Sequence, residues 1–230
     1  QGPRTCVFET SGRIALASEL RAVNPYLTIA GQTAPAPGIL ISGAPVRVAA
    51  HDVLVQHLQI RAGDSPQGTN PATRDSAGII APSTAVYNVV FDHLSISWSI
   101  DENMSTGYPN INDVTVSNSI ISEALHNSLH PDGPHSMGLL VGEESLRVSL
   151  HHNLFAHNND RNPRMKPGCE VELISNLIYD WGGTSGWNVA NLADTEKTGI
   201  PVLLNFIGSP FTPLPIFTRA ASLLPTEPTV

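Results

Sequence analysis

Charged residues are scarce in this chain of 230 residues, and positive charge is the scarcer sign. Lys and Arg together number 12 against 20 Asp and Glu, so the formal net charge is −8. Proteins that bind DNA or RNA usually present a broad basic face, so this composition argues against nucleic acid as the main partner. The sequence also has no run of 18 apolar residues, and it therefore predicts no membrane-spanning helix.

Cysteine is almost absent as well. Cys6 and Cys169 lie far apart, and neither belongs to a CxxC or Cys/His cluster of the kind that binds zinc. A disulfide between them and two buried free thiols are both open from the sequence. The stretch "LHNSLHPDGPHSMG" holds His126, His130 and His135 without a cysteine and with Pro and Gly between them. We interpret these histidines as side chains that line a groove, not as a zinc site.

A repeated strand pattern is what the chain does have. Five segments open with apolar-x-apolar, carry a polar fifth residue and have an apolar eighth residue. They are "VLVQHLQI" (53–60), "VVFDHLSI" (89–96), "VTVSNSII" (114–121), "VSLHHNLF" (148–155) and "VELISNLI" (171–178). Such alternation is typical of strands with one buried face. The segments start 36, 25, 34 and 23 residues apart.

A solenoid explains why the same pattern recurs, because each coil adds a rung and buries its apolar face on its neighbours. We therefore predict an all-β protein that folds as a parallel β-helix; the alternative is coincidence among β-rich segments. We also expect the polar fifth position to form a ladder in which the side chain of one coil bonds the next. Its members are His57, His93, Asn118, His152 and Ser175.

Acidic residues flank the second of these strands. Asp75 lies in "RDSAG" before it, and Asp101 and Glu102 lie in "WSIDENMS" after it. Successive coils of a solenoid would bring these loops together. Several carboxylates without cysteine or an HxxxH spacing make the hard oxygen site that Ca²⁺ prefers. The alternative is that these carboxylates are only solvated loop residues.

Basic residues concentrate in "HHNLFAHNNDRNPRMKPG" (151–168), where Arg161, Arg164 and Lys166 fall within six positions. In an extended segment Arg164 and Lys166 would share a face. A groove with several cations attracts an anionic polymer, although a solvated basic turn is the alternative. An acidic cation-binding patch beside a basic patch suits an acidic polysaccharide.

Three stretches carry a resemblance to a known family: "VVFDHLSISWSIDENMS" (89–105), "SEALHNSLH…GPHSMGLLVG" (122–142) and "HHNLFAHNNDRNPRMK" (151–166). They resemble the polysaccharide lyase family 1 pectate lyases, and the resemblance covers residues 2–208 in the same order. It implies a right-handed parallel β-helix and secretion. It also implies Ca²⁺-dependent β-elimination of polygalacturonate, which leaves 4,5-unsaturated oligogalacturonides.

The resemblance assigns roles to basic residues. Arg161 matches the arginine that acts as the catalytic base in the family, and Arg164 and Lys166 match its substrate-binding positions. Many members have a substrate-binding lysine before a "GL" pair, where "HSMGL" offers His135. A guanidinium has a pKa above 12, so the base role requires nearby positive charge that lowers this pKa, and it implies an alkaline optimum.

The resemblance also assigns the metal ligands. Asp75, Asp101 and Glu102 match the acidic positions around the primary Ca²⁺ site. An Asp-x-Asp pair is common at the first of these positions, and here only Asp75 remains. We therefore expect weaker Ca²⁺ binding, or recruitment of Asp64 or Asp92.

The resemblance also bears on organisation and on rival functions. We expect one β-helix domain over residues 1–230, acting as a monomer. "GPRTCVFETSG" (2–12) matches the interior of the family's sequence, so we expect an N-terminal segment to be lacking, and the Pro-rich tail "PIFTRAASLLPTEPTV" (215–230) matches nothing diagnostic. The alternatives are a polygalacturonase-like hydrolase, suggested by "RMK" (164–166), and a non-catalytic pectin-binding β-helix. A pectin lyase is disfavoured, since a methylated substrate calls for no metal bridge.

Overall fold

The computed structural model describes residues 2–81, 83–107, 109–182, 186–189 and 200–212. Apart from two short 3-10 turns, Gly31–Thr33 and Pro71–Thr73, the regular structure in these ranges is β-strand. In chain order the strands are β1 (Arg4–Val7), β2 (Gly12–Ala15), β3 (Leu20–Ala22), β4 (Leu27–Ala30), β5 (Ile39–Ser42), β6 (Val46–Val48), β7 (Val53–Gln56), β8 (Leu58–Arg61), β9 (Ala77–Ile79), β10 (Val86–Asp92), β11 (Ser95–Ser97), β12 (Glu102–Thr106), β13 (Ile111–Ser117), β14 (Ile120–Ser122), β15 (Met137–Val141), β16 (Leu146–His151), β17 (Leu154–Ala156), β18 (Arg164–Met165), β19 (Glu170–Ile174), β20 (Leu177–Tyr179), β21 (Asn188–Val189), β22 (Leu203–Ile207) and β23 (Phe211–Thr212).

Every third strand joins the same sheet. The first sheet has the order β1-β4-β7-β10-β13-β16-β19-β22, and the second has the order β2-β5-β8-β11-β14-β17-β20-β23. The third sheet runs β21-β18-β15-β12-β9-β6-β3. Neighbouring strands are parallel throughout, so one strand from each sheet makes one coil and the coils stack. The predicted all-β, right-handed parallel β-helix is thereby confirmed.

The repeated pattern places its apolar residues in the core between the sheets. Its first, third and eighth positions stack in register from coil to coil, as in Val53↔Val89 and Ile60↔Ile96. All residues at these positions are at most 2% exposed. Burying each such side chain contributes about 1.5–3 kcal/mol before the cost of ordering the chain. The five segments therefore fix the register of the coils.

The polar fifth position has a different role from the one expected. Its residues adopt the left-handed conformation, with φ between 49° and 56°, at the corner between the first and second sheets. That conformation turns the side chain outward and the next side chain inward. His57 and His152 are accordingly exposed, whereas Ser119 and Asn153 are buried.

The buried polar ladder therefore lies at the sixth position. The side-chain oxygen of Asn153 accepts a hydrogen bond from the backbone N–H of Ser119 at 3.0 Å. Asn176 accepts in the same way from the N–H of Asn153 at 3.0 Å, and Ser209 from the N–H of Asn176 at 3.0 Å. These bonds satisfy backbone donors that the corner removes from the sheets. The expected fifth-position ladder is wrong by one residue, because the corner conformation turns the fifth side chain outward; His57 and His93 still stack there, through exposed rings.

The two cysteines are free thiols. Cys6 is exposed in β1, and Cys169 is buried just before β19. Burial raises the pKa of the Cys169 thiol to about 12, so it is protonated at neutral pH. Within the described ranges, no helix is both long and apolar enough to span a membrane. The predicted tail (215–230) lies outside the described residues.

Candidate active site

Four successive loops that run from the second sheet to the third carry the candidate site. They precede β9, β12, β15 and β18, which are neighbours in the third sheet. Asp75, Asp101, His135 and Arg161 each lie within three residues of the strand that follows. Because parallel strands begin at the same edge and lie about 4.8 Å apart, these side chains meet at one edge of the sheet.

Asp75, Asp101 and Glu102 form the acidic cluster of this site. Each offers a carboxylate oxygen, and these atoms lie within 4.8 Å of one another. Asp75 and Glu102 are each 4% exposed, so they are not solvated loop carboxylates. Burial raises the pKa of Asp75 to about 6; Arg47 opposes this shift and Asp101 adds to it. Three carboxylates this close favour the binding of positive charge.

Arg47 is the partner of Asp75. Its Nη1 donates to Asp75 Oδ2 at 2.8 Å, and its Nη2 donates to the carbonyl oxygen of Thr73 at 3.2 Å. The Ser105 hydroxyl donates to the same carboxylate oxygen. Gly78 makes room for the guanidinium, since a Cβ there would lie 2.5 Å from Arg47 Nη1.

Two histidines hold Asp101. His135 Nε2 lies 3.0 Å from Asp101 Oδ1, and His130 Nε2 lies 3.9 Å from the same oxygen. The two rings stack with centroids 3.6 Å apart. His130 Nδ1 accepts a hydrogen bond from the backbone N–H of Asp132 at 3.2 Å, so in the neutral ring the proton is on Nε2. His130 therefore presents an N–H toward Asp101, which disfavours it as a metal ligand.

Arg161 holds Glu102 across one intervening coil. Its Nη1 forms an ion pair with Glu102 Oε1, and its backbone N–H donates to Asp160 Oδ1 at 2.7 Å. The residue has a φ of 60°. A buried amide network supports this turn, because Asn158 Nδ2 donates to Asn162 Oδ1 at 2.9 Å. Arg161 is therefore positioned by its own loop as well as by Glu102.

The three carboxylates share one arrangement. One oxygen of each is held by a side-chain donor, namely that of Arg47, His135 or Arg161. Among the described residues no hydrogen bond reaches the second oxygen, which is Asp75 Oδ1, Asp101 Oδ2 or Glu102 Oε2. Carboxylate oxygens without protein donors are the ligands that Ca²⁺ takes. The acidic cluster therefore fits a hard divalent cation.

The basic trio of the sequence is split in the structure. Arg161 contacts Glu102 of the acidic cluster. Arg164 and Lys166 instead flank buried Met165 and lie half-buried on the outer side of the third sheet. Lys166 Nζ is 3.0 Å from Glu143 Oε1. Arg164 and Lys166 thus share the outer face of the third sheet and lie outside the acidic cluster.

The sequence patterns did not indicate Arg47, and two acidic residues that they offered, Asp64 and Asp92, lie outside the acidic cluster. Arg47 stands between two buried valines in β6, and its register partner in the next coil is Gly78. The signal available in the sequence was a charged residue between two valines, with a glycine at the matching position of the next coil. Asp64 accepts from the Ser128 hydroxyl at 3.3 Å, and Asp92 lies at the corner between the first and second sheets. Neither joins the acidic cluster.

The architecture and this site define a parallel β-helix protein with a carboxylate-rich edge. No protein-family model matches the chain. It is 35% identical to the probable pectate lyase C of Aspergillus flavus over 220 residues, which are 95% of this chain and 48% of that protein. It is 34% identical over 217 residues to the probable pectate lyase C of Neosartorya fischeri, covering 94% and 47% of the two chains.

A solved structure agrees in fold. The pectate lyase Bsp165PelA from Bacillus sp. N165, in complex with trigalacturonate, superposes with a TM-score of 0.60 over 99% of this chain and 79% of that chain, at 14% identity. These matches confirm the resemblance to pectate lyases found in the motifs. It spans about half the length of the curated relatives it matches.

Proposed function

We propose that this chain is a pectate lyase that cleaves polygalacturonate by β-elimination with Ca²⁺. The observation that carries the proposal is the contact between Arg161 and Glu102 inside a cluster of carboxylates, each with one oxygen that no hydrogen bond from the described residues reaches. The chain's relatives are named pectate lyases, and its structural neighbour was solved with trigalacturonate. We expect one domain that acts as a secreted monomer.

Asp75, Asp101 and Glu102 would hold the metal through the carboxylate oxygens that accept no hydrogen bond within the described part of the chain. When bound, Ca²⁺ supplies positive charge that neutralises a uronate carboxylate and makes the adjacent C5 hydrogen more acidic. Arg47 and His135 keep two of the carboxylates oriented for this task. A direct contact of His135 with the sugar stays a prediction, since its ring faces Asp101 and only 8% of the residue is exposed.

Arg161 would remove the C5 proton, after which the C4–O bond breaks and an unsaturated sugar end forms. Its ion pair with Glu102 favours the charged guanidinium, so the base form requires that this carboxylate be engaged elsewhere. Arg164 and Lys166 would bind uronate carboxylates along the outer side of the third sheet. Because a guanidinium loses its proton only at high pH, activity should rise toward alkaline pH.

The test is growth of ultraviolet absorbance on polygalacturonate at alkaline pH, with Ca²⁺ and then with excess chelator. We expect absorbance that requires Ca²⁺ and that Arg161→Ala abolishes. Arg147→Ala is the matched control, because Arg147 forms an exposed ion pair with Asp113 in the first sheet. Asp75→Asn should raise the Ca²⁺ concentration needed.

Two other outcomes would redirect the assignment. New reducing ends without absorbance would indicate a hydrolase, for which the carboxylates are close enough. Substrate binding with neither signal would indicate a non-catalytic pectin-binding β-helix. An Arg161→Ala variant that keeps a near-normal rate would remove Arg161 from the role of base.

A further inference from the structure

Two histidines and an aspartate form a second cluster of potential ligands, remote from the acidic cluster. His57, His93 and Asp92 each offer an atom, and these atoms lie within 4.8 Å of one another. The cluster lies at the corner between the first and second sheets, whereas the acidic cluster lies at the edge of the third. Nothing in the proposed lyase reaction uses it.

The backbone fixes the two histidines side by side. Both have a φ of 53°, because both occupy the corner position of successive coils. The backbone N–H of His57 donates to the carbonyl oxygen of Asp92 at 3.1 Å, and that of His93 donates to the carbonyl oxygen of Ser117 at 3.1 Å. Their rings stack with centroids 4.6 Å apart and an angle of 19° between planes. The pair is thus built into the stacking of the coils.

Asp92 orients one of the rings. Its Oδ2 lies 2.8 Å from His93 Nδ1, and its side chain is 16% exposed. Gln56 donates to the same oxygen at 2.9 Å, and Ser117 donates to Oδ1 at 2.8 Å. When Nδ1–H of His93 donates to the carboxylate, the lone pair of Nε2 is left for a metal. Histidines that bind metals usually donate their other ring N–H to a carboxylate or carbonyl oxygen in this way.

The charge of the surroundings favours a cation. The rings border a shallow depression of about 290 Å³, and no Lys or Arg is among the described residues that line it. The Asp92 carboxylate accepts hydrogen bonds from Gln56, Ser117 and Asn118, so it is an acceptor built into this surface. Imidazole ligands suit Zn²⁺, Cu²⁺ and Ni²⁺, whereas Ca²⁺ prefers oxygen.

We propose that His57 and His93, with Asp92 as their carboxylate partner, bind a divalent transition metal ion of the Zn²⁺ class. The ion would link two successive coils through side chains that the corner geometry already aligns. Its remaining ligands would be water, because both rings face solvent. The site is independent of the lyase activity, and its occupancy should leave the initial rate on polygalacturonate unchanged.

The experiment is calorimetric titration of the purified chain with Zn²⁺ in the presence of excess Ca²⁺. The Ca²⁺ occupies oxygen ligands and leaves the imidazoles free for Zn²⁺. We expect the wild type to bind one equivalent of Zn²⁺ at this site. His57→Ala and His93→Ala should lose this equivalent, and Asp92→Asn should bind it at least ~10-fold more weakly. His152→Ala is the matched control, because His152 occupies the same corner position and is exposed. It should bind like the wild type.

Thermal unfolding is a second measurement, which keeps the test decisive if a variant folds poorly. Zn²⁺ should raise the Tm of the wild type and of His152→Ala, and should not raise that of His57→Ala, since a bound ion stabilises only the folded state. The proposal is overturned if His57→Ala and His93→Ala take up the same number of Zn²⁺ equivalents with unchanged affinity. A wild type whose Tm does not respond to Zn²⁺ would overturn it equally.

Discussion

Replacing Arg47 by methionine tests how the acidic cluster keeps Asp75 ready for a metal. Arg47 is 7% exposed and donates to Asp75 Oδ2 at 2.8 Å. Methionine is a flexible apolar side chain that fills much of the same space, but it removes the charge and all the donors. The variant thus isolates the electrostatic contribution of the guanidinium.

The size of the effect follows from the pKa of Asp75. This pKa is already raised to about 6 with Arg47 present, and an adjacent arginine lowers the pKa of an aspartate by about 1–3 units. In Arg47→Met the carboxyl group should therefore be largely protonated at pH 7. Ca²⁺ needs the ionised form, and each unit by which the pKa exceeds the pH costs about 1.4 kcal/mol. We expect roughly tenfold weaker Ca²⁺ binding at pH 7.

The loss of Ca²⁺ affinity in Arg47→Met should depend on pH in one direction. Because raising the pH restores the ionised carboxylate, the deficit of Arg47→Met should shrink between pH 7 and pH 9. The free energy of unfolding should also fall by about 1–3 kcal/mol, since the Thr73 carbonyl loses its donor. Calorimetric Ca²⁺ titration at both pH values measures the first effect, and urea denaturation measures the second.

Arg21→Met is the matched control for Arg47→Met. Arg21 is the register neighbour of Arg47 in the preceding coil. Its side chain is 48% exposed and pairs with Glu19, so its replacement should change neither quantity by much. Unchanged Ca²⁺ binding in Arg47→Met at pH 7, or a deficit that does not vary with pH, would refute the reasoning.

Three further predictions follow from the structure. Gly78→Ala places a Cβ 2.5 Å from Arg47 Nη1 and 2.6 Å from the backbone oxygen of Ser105. Calorimetric Ca²⁺ titration should show a loss of affinity like that of Arg47→Met, and the variant with both substitutions should bind Ca²⁺ no more weakly than Arg47→Met alone. Asn153→Ala removes buried hydrogen bonds to two neighbouring coils, and urea denaturation should show a loss of about 2–4 kcal/mol; an unchanged midpoint would contradict the sixth-position ladder. Hydrogen bonds lower the pKa of Asp92 although burial raises it, so its contribution is present above the unfolded pKa of about 4 and is lost on acidification. Asp92→Asn should cost about 1–3 kcal/mol at pH 7 and progressively less as the pH falls below about 4, as measured by denaturation at about pH 7 and about pH 3.

The apolar positions of the repeat were readable from the sequence because a strand has a strict period of two. Val53, Val89 and their counterparts had to face one core, and the coils had to stack for all of them to be buried. The polar ladder was misplaced because the corner residue, such as His152 with a φ of 56°, leaves the β conformation. The alternation of inward and outward side chains breaks at such a residue, so the next side chain, that of Asn153, turns inward.

The composition of the site was largely readable, but its contacts were not. The motifs marked Asp75, Asp101 and Glu102 together, and the parallel coils bring their carboxylates within 4.8 Å of one another. The partner of each carboxylate comes from another coil, as Arg47 does for Asp75. Such a partner is 28 residues away in the chain, and no local pattern marks it.

The strand period, the solenoid and the kinds of side chain available for chemistry can be read from the sequence, because they depend on neighbours within a few residues. The tertiary structure is what brings Arg161 to Glu102 and Lys166 to Glu143. It likewise aligned His57 with His93 at one corner. The physical reason is that stacking sets which residues of different coils meet, and loops of unequal length hide that register from the linear sequence.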